Sequence, residues 1–294
     1  MIGRQTGRVR TATALLGGLS LILAGLLGPA TPAAAAPGST SAATTARVSA
    51  DSVSTDSVRA SWSKSFASLE KQLPGTAGVS VVGVGHAGSV TVGSWRSGVA
   101  WSTSKVPVSV AALRRSPSAS TKRLVKRAIT VSDNAAAEKL WSRLGRPKTA
   151  AARTQKVIRD AGDKHTKVQS KRVRAGFTAF GQTRWTTTNQ ARFGAGLACR
   201  AEAKPVLRLM GQITTSQRWG LGHVRGARFK GGWGPVGKGY LVRQLGVVIL
   251  PDGRTYSVSI AVWSPKGFSR AARDLTRVAN WLEKRIGQVP ARAC

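Results

Sequence analysis

Acidic residues are scarce in this chain. Only 11 Asp and Glu stand against 46 Lys and Arg in 294 residues, a formal net charge of +35. That imbalance favours long-range attraction to polyanions. The competing reading is a basic surface that simply follows overall composition. The basic residues are spread along the sequence, with no zinc-finger spacing and no RNA-reading aromatic pattern, so no specific nucleic-acid partner is expected. Cysteine is almost missing too, with Cys199 and Cys294 alone. With the three histidines scattered at 86, 165 and 223, these give no metal-ligand cluster, and neither a metal nor a cofactor is expected. His165 and His223 are read as loop residues.

Long apolar runs are also lacking beyond the N-terminus. Arg4, Arg8 and Arg10 precede an Ala/Leu/Gly stretch from Thr11 to Leu27, and small residues follow to Ala36. This is the pattern of a secretory signal over residues 1–36. A retained anchor is the other reading, but the apolar core is short and interrupted by glycine. No cysteine near the cleavage region offers a lipid attachment point. Residues 37–54 are Ser/Thr/Ala-rich and read as a flexible lead-in. The expected location is therefore outside the cell or at its envelope. There, Cys199 and Cys294 can pair as a disulfide that ties the C-terminus to mid-chain, the alternative being two free thiols.

The remaining residues, 55–294, suffice for one domain. Val58, Trp62, Phe66, Leu69 and Leu73 recur at helical spacing. Gly78 to Val84 and Ser89 to Trp95 read as a hairpin. A buried helix follows Val106-Pro107-Val108, then helices over Lys122 to Ile129 and Ala135 to Leu144, ended by Gly145-Arg146-Pro147. Residues 148–175 suggest only small packed elements. Helices are expected after Thr186-Thr187-Thr188 and over Val206 to Ile213. Strands near Phe229, over Tyr240 to Leu250 and over Tyr256 to Trp263 precede a terminal helix from Ser269 to Ile286. The expected fold is α/β in the α+β sense: an antiparallel sheet flanked by helices (55–101 and 226–294) plus an all-helical lobe (102–225).

Three short pieces carry chemistry. Ser102-Thr103-Ser104-Lys105 puts a hydroxyl and an amine one helical turn apart, at the mouth of a helix. Ser102 is the candidate nucleophile and Lys105 the base that removes its proton, if burial and nearby charge keep the amine neutral. The helix N-terminus can aim a backbone donor at a developing oxyanion, with a second donor from the strand near Trp233 or Gly234. In Ser132-Asp133-Asn134, Ser132 is a proton carrier, Asn134 a partner for a substrate amide, and Asp133 a brace. These three also suit a helix cap, and the two readings are compatible. Lys230-Gly231-Gly232 offers a cation for a substrate carboxylate and two glycines that let a ligand approach the strand, with Trp233 beside them. The plainer reading of Lys230 is a solvated surface lysine. Ser61-Trp62-Ser63-Lys64 repeats the first spacing but reads as an exposed helix face.

These motifs resemble the serine β-lactamase and penicillin-binding protein superfamily, nearest the class A β-lactamases. Its signatures are Ser-x-x-Lys, Ser-Asp-Asn and Lys-Thr-Gly. The resemblance implies a serine hydrolase that acylates Ser102 with β-lactams or D-alanyl wall peptides, in an expected monomer. Alternatives are a weak or inactive protein of the same fold that binds the cell wall, and a serine esterase. The charge suggests an anionic wall polymer or membrane surface as a further partner. Three departures stand out. Only 30 residues separate Ser102 from Ser132. Gly231 replaces the usual Thr or Ser, leaving Arg225, Arg228 and Lys238 as cations available for the lost carboxylate contact. Finally, the segment where a deacylating glutamate is expected holds Lys171, Arg172 and Val173, with Asp160 and Asp163 poorly placed.

Overall fold

The computed structural model describes residues 54–294 except Ala87. The expected leader, residues 1–36, and residues 37–53 of the lead-in lie outside the described residues. Ser54 already belongs to the fold, because its Oγ accepts from Ser57 N (3.2 Å) and caps the first helix. Among the described residues, no helix is long and apolar enough to cross a membrane.

Helix α1 (Thr55–Glu70) buries Val58, Trp62 and Phe66, one face of a 3.6-residue repeat. The hairpin follows as β1 (Thr76–Gly83) and β2 (Ser89–Gly93), with Val79 opposite Val92. A short β3 (Ser97–Val99) leads into a helical layer of α2 (Lys105–Arg115), α3 (Ala119–Thr130), α4 (Asn134–Arg143) and α5 (Pro147–Asp160). A loop then reaches β4 (Arg184–Thr186), which pairs with β3, and α6 (Thr187–Ala198) and α7 (Lys204–Met210) follow. The chain closes with β5 (Ala227–Val236), β6 (Gly239–Ile249), β7 (Thr255–Ser264) and α8 (Gly267–Glu283).

The main sheet is antiparallel in the order β2-β1-β7-β6-β5, so the last hairpin inserts beside the first and leaves β5 at an edge. The first and last helices meet on one side of it, where Trp281 lies edge-on to Trp62 and Phe66 at 5.3 and 5.0 Å. Cys199 and Cys294 form a disulfide that fastens the C-terminus to the end of α6.

Residues 148–160 depart from expectation: they belong to the 14-residue helix α5 (Pro147–Asp160), not to small elements. Pro147 starts α5 as well as following α4, because its missing N–H costs nothing in a first turn. The buried stripe of α5 is Ala150, Ala151, Thr154, Val157 and Ile158, too small in side chain to stand out among its lysines and arginines. Helix α7 ends at Met210, so Ile213 is buried beyond its helix.

Candidate active site

A 3-10 turn over Trp101–Ser104 runs directly into α2 and carries Ser102. Thr103 Oγ1 donates to Ala100 O (2.5 Å) and Ser104 Oγ to Trp101 O (2.6 Å), while Ser102 lines a cleft of about 300 Å³. The turn is held from below. Gln190 Nε2 donates to Thr103 Oγ1 (2.9 Å), and Gln190 Oε1 accepts from Arg243 Nη2 (2.9 Å) and Ser259 Oγ (2.8 Å). The fully buried Arg243 also donates to the carbonyls of Gly98, Val99 and Trp185, which tie both strands of the small sheet to the main one. Trp101 (φ 49°) and Ser132 (φ 60°) are the two non-glycine residues with positive φ among the described residues. Such conformations persist only where the surroundings impose them, and both flank this cleft.

Beneath Ser132, two buried amines converge on one hydroxyl. Lys105 Nζ donates to Ser132 O (2.5 Å), Ser132 Oγ (3.2 Å) and Asn134 Oδ1 (2.7 Å). Lys230 Nζ donates to Ser132 Oγ (2.9 Å) and Gly231 O (2.7 Å). Lys105 is 1 % exposed and Lys230 0 %, so the reading of Lys230 as a solvated lysine is overturned. Two like charges sharing one acceptor repel strongly where water is excluded. Burial lowers the Lys105 amine to about 7, against the opposing pull of Asp133. Lys230 is lowered well below its ordinary value, first by burial and then by Lys105. Burial thus makes the neutral form of Lys105 accessible near pH 7, and a neutral amine can accept a proton.

Asn134 has its carbonyl oxygen engaged by Lys105, which leaves its NH₂ as a donor on a residue lining the cleft. Asp133 is the brace and cap: its Oδ1 accepts from Ala136 N (2.8 Å) at the start of α4, and Oδ2 pairs with Arg127. Ser61 and Lys64 are exposed on α1, in keeping with a helix face.

The edge strand β5 packs against the turn that carries Ser102, and Gly232 permits it. A Cβ there would lie 2.7 Å from Ser102 N and 2.9 Å from Trp101 Cβ. At Gly231 a Cβ would meet Trp219 Cη2 at 2.9 Å. The space freed by both glycines is filled by the protein itself rather than left for a ligand, as had been expected. Trp219 belongs to an aromatic group with Trp233 (5.8 Å) and Phe268 (6.2 Å), and Tyr240 lies 5.8 Å from Phe268. Trp233 and Tyr240 line the cleft opposite Gly176, Phe177, Thr178 and Gln182 of the preceding loop. Arg174 ties that loop across, lying over the Phe177 ring at 4.4 Å and donating to Pro235 O (2.8 Å).

A model of the beta-lactamase enzyme family matches residues 116–285. The chain belongs to that family. The matched span includes Ser132, Asn134 and Lys230 and begins after the Ser102 turn. Solved structures of the same fold cover more of the chain. TLA-3, an extended-spectrum beta-lactamase, has a TM-score of 0.65 at 14% identity, covering 79% of this chain and 99% of its own. A class A representative from Bacteroides cellulosilyticus has a TM-score of 0.65 at 15% identity, with coverage of 78% and 98%. A PBP-A mutant, described as an acyl-enzyme complex with penicillin G, has a TM-score of 0.61 at 18% identity, with coverage of 78% and 97%. No curated protein matches the chain.

No Asp or Glu lines the cleft. Lys171, Arg172 and Val173 are exposed, and Arg172 pairs with Glu138 (2.9 Å). Asp160 is committed to Arg114 and Lys156. Asp163 is buried, accepting from His165 N, Thr166 N and Trp185 Nε1, so it shapes the loop. Arg225, Arg228 and Lys238 do not line the cleft either, and Arg228 faces a separate depression beside Cys294. What does line it, unforeseen from sequence, is Gln182, whose Nε2 is buried without a partner. A glutamine ending a short 3-10 turn gives no sequence signal.

The Trp219–Gly231 contact makes a measurable prediction. Gly231→Thr alone is expected to destabilise the fold by about 1–3 kcal/mol, the usual cost of overpacking. Combined with Trp219→Ala it should cost at least about 1 kcal/mol less than the sum of the single changes. Denaturant unfolding of the four proteins decides this, and strict additivity would show that the ring does not exclude the side chain.

Proposed function

We propose that this chain is an exported, penicillin-recognising serine hydrolase of the cell envelope. Ser102 Oγ attacks the carbonyl of a β-lactam or D-alanyl wall peptide, and its proton passes to Lys105. Ser132, hydrogen-bonded to both lysines, carries a proton towards the departing nitrogen. The Ser102 N–H and a β5 N–H supply the oxyanion donors, and Asn134 holds the substrate amide. The observation that carries this reading is the buried Lys105–Ser132–Lys230 chain beside a cleft that Ser102 lines. A purely structural cap would not need two desolvated amines on one hydroxyl. The disulfide supports export, because such bonds persist in oxidising compartments.

The test is covalent labelling by a fluorescent penicillin, read by gel and intact mass. The wild-type chain should gain one adduct, located on Ser102, and Ser102→Ala should gain none. Absence of the adduct from wild type would support the wall-binding reading instead, and Ser102-dependent cleavage of simple esters alone would support the esterase.

A further inference from the structure

Folding gathers charge that the sequence scatters. Helix α3 exposes Lys122, Arg123, Lys126 and Arg127 as two adjacent rows one turn apart. Each row borders a groove. Lys122 and Lys126 line a cavity of about 580 Å³ with Arg114, Arg208 and one acid, Glu202, over a floor that includes Val125 and Leu209. Arg123 and Arg127 line the groove on the other flank, with Lys139 and Arg143 of α4. The nearby acids are already taken: Asp133 by Arg127, Glu202 and Asp160 by Arg114, and Glu138 by Arg172. Among the described residues, Lys122, Arg123, Lys126, Lys139, Arg143 and Arg208 therefore carry charge with no acid within 4.0 Å.

We propose that the α3 ridge is a binding surface for a polyol-phosphate polymer, an anionic chain of the cell envelope, lying along both grooves. Regularly spaced cations without acidic partners suit a chain of phosphodiesters, whose binding gains from counterion release. The grooves hold aliphatic residues and no aromatic ring, so they lack the stacking surfaces on which single-stranded nucleic acids are held. The choice of an envelope polymer rests on the exported location proposed above, with which the disulfide is compatible. Helix α3 runs straight into the Ser132 loop, so a polymer on the ridge would hold the cleft close to the wall.

The experiment measures binding of the purified chain to immobilised poly(glycerol phosphate) as salt rises from about 50 to about 200 mM. Lys122→Gln/Arg123→Gln/Lys126→Gln is compared with Lys64→Gln/Lys71→Gln/Lys284→Gln, which removes the same charge from exposed positions of α1 and the end of α8. Melting curves check that both variants fold. The ridge variant should bind at least about tenfold more weakly, with the slope of log affinity on log salt reduced by about three, while the control changes less than about twofold. Equal losses in the two variants would overturn the proposal, showing net charge alone at work. Equal or tighter binding of duplex DNA, or of phosphatidylglycerol vesicles, at matched phosphate would overturn it in favour of those partners.

Discussion

Replacing Lys105 with methionine is expected to slow acylation of Ser102 by about 10²–10⁴-fold, the range of a positioned general base. Methionine keeps the volume of the buried stem in α2, so the loss should fall on rate more than on folding. The pH dependence separates base from brace. The Lys105 amine titrates at about 7 because burial disfavours its charge. Only its neutral form accepts the serine proton. Acylation by wild type should therefore rise about tenfold per pH unit below 7 and level off above it. The methionine variant should lose that rise while keeping a similar melting temperature. The readout is the second-order rate of labelling by a fluorescent penicillin between about pH 5 and 9. A variant that labels at the wild-type rate would remove Lys105 from the mechanism. A reduced rate with the same pH profile would leave it a merely positional part.

The split between what the sequence shows and what it hides follows physical range. Helix periodicity and turn chemistry are local, so α1, α8, the first hairpin and the last two strands were legible. So was the helix start at Ser102 and Lys105, where a 3-10 turn runs directly into α2. What the motif could not show is the fate of Lys230. On a chain with 46 basic residues its burial depends on β5 packing against the turn that carries Ser102, a contact between segments over a hundred residues apart. Gly231 shows the same limit from the other side. Its lost hydroxyl was visible in sequence, but the Trp219 ring that covers the position was not. Helix α5 stayed hidden for a different reason: alanines make a stripe that packs well but stands out little in hydrophobicity.

The acyl-enzyme is expected to persist, and Gln182→Glu is expected to shorten its life by about 10²-fold or more. Hydrolysis of the ester needs a group that takes a proton from water beside the acyl carbon. No carboxylate lines this cleft, and the neutral amide of Gln182 can orient water but cannot take its proton. Glutamate at 182 has nearly the same shape and puts a carboxylate where Nε2 now lies buried without a partner. Burial would raise its pKa towards the working range of a general base. Wild type should thus show a stoichiometric burst of β-lactam consumption followed by slow release. The variant should acylate at a similar rate and sustain turnover, and its deacylation should strengthen as pH rises through the new carboxyl's pKa. Intact-mass decay of the adduct after removal of excess penicillin measures both. Fast release by wild type would mean that water is activated from outside the set of residues lining the cleft. Unchanged release in a normally acylating variant would mean that Gln182 does not face the acyl carbon.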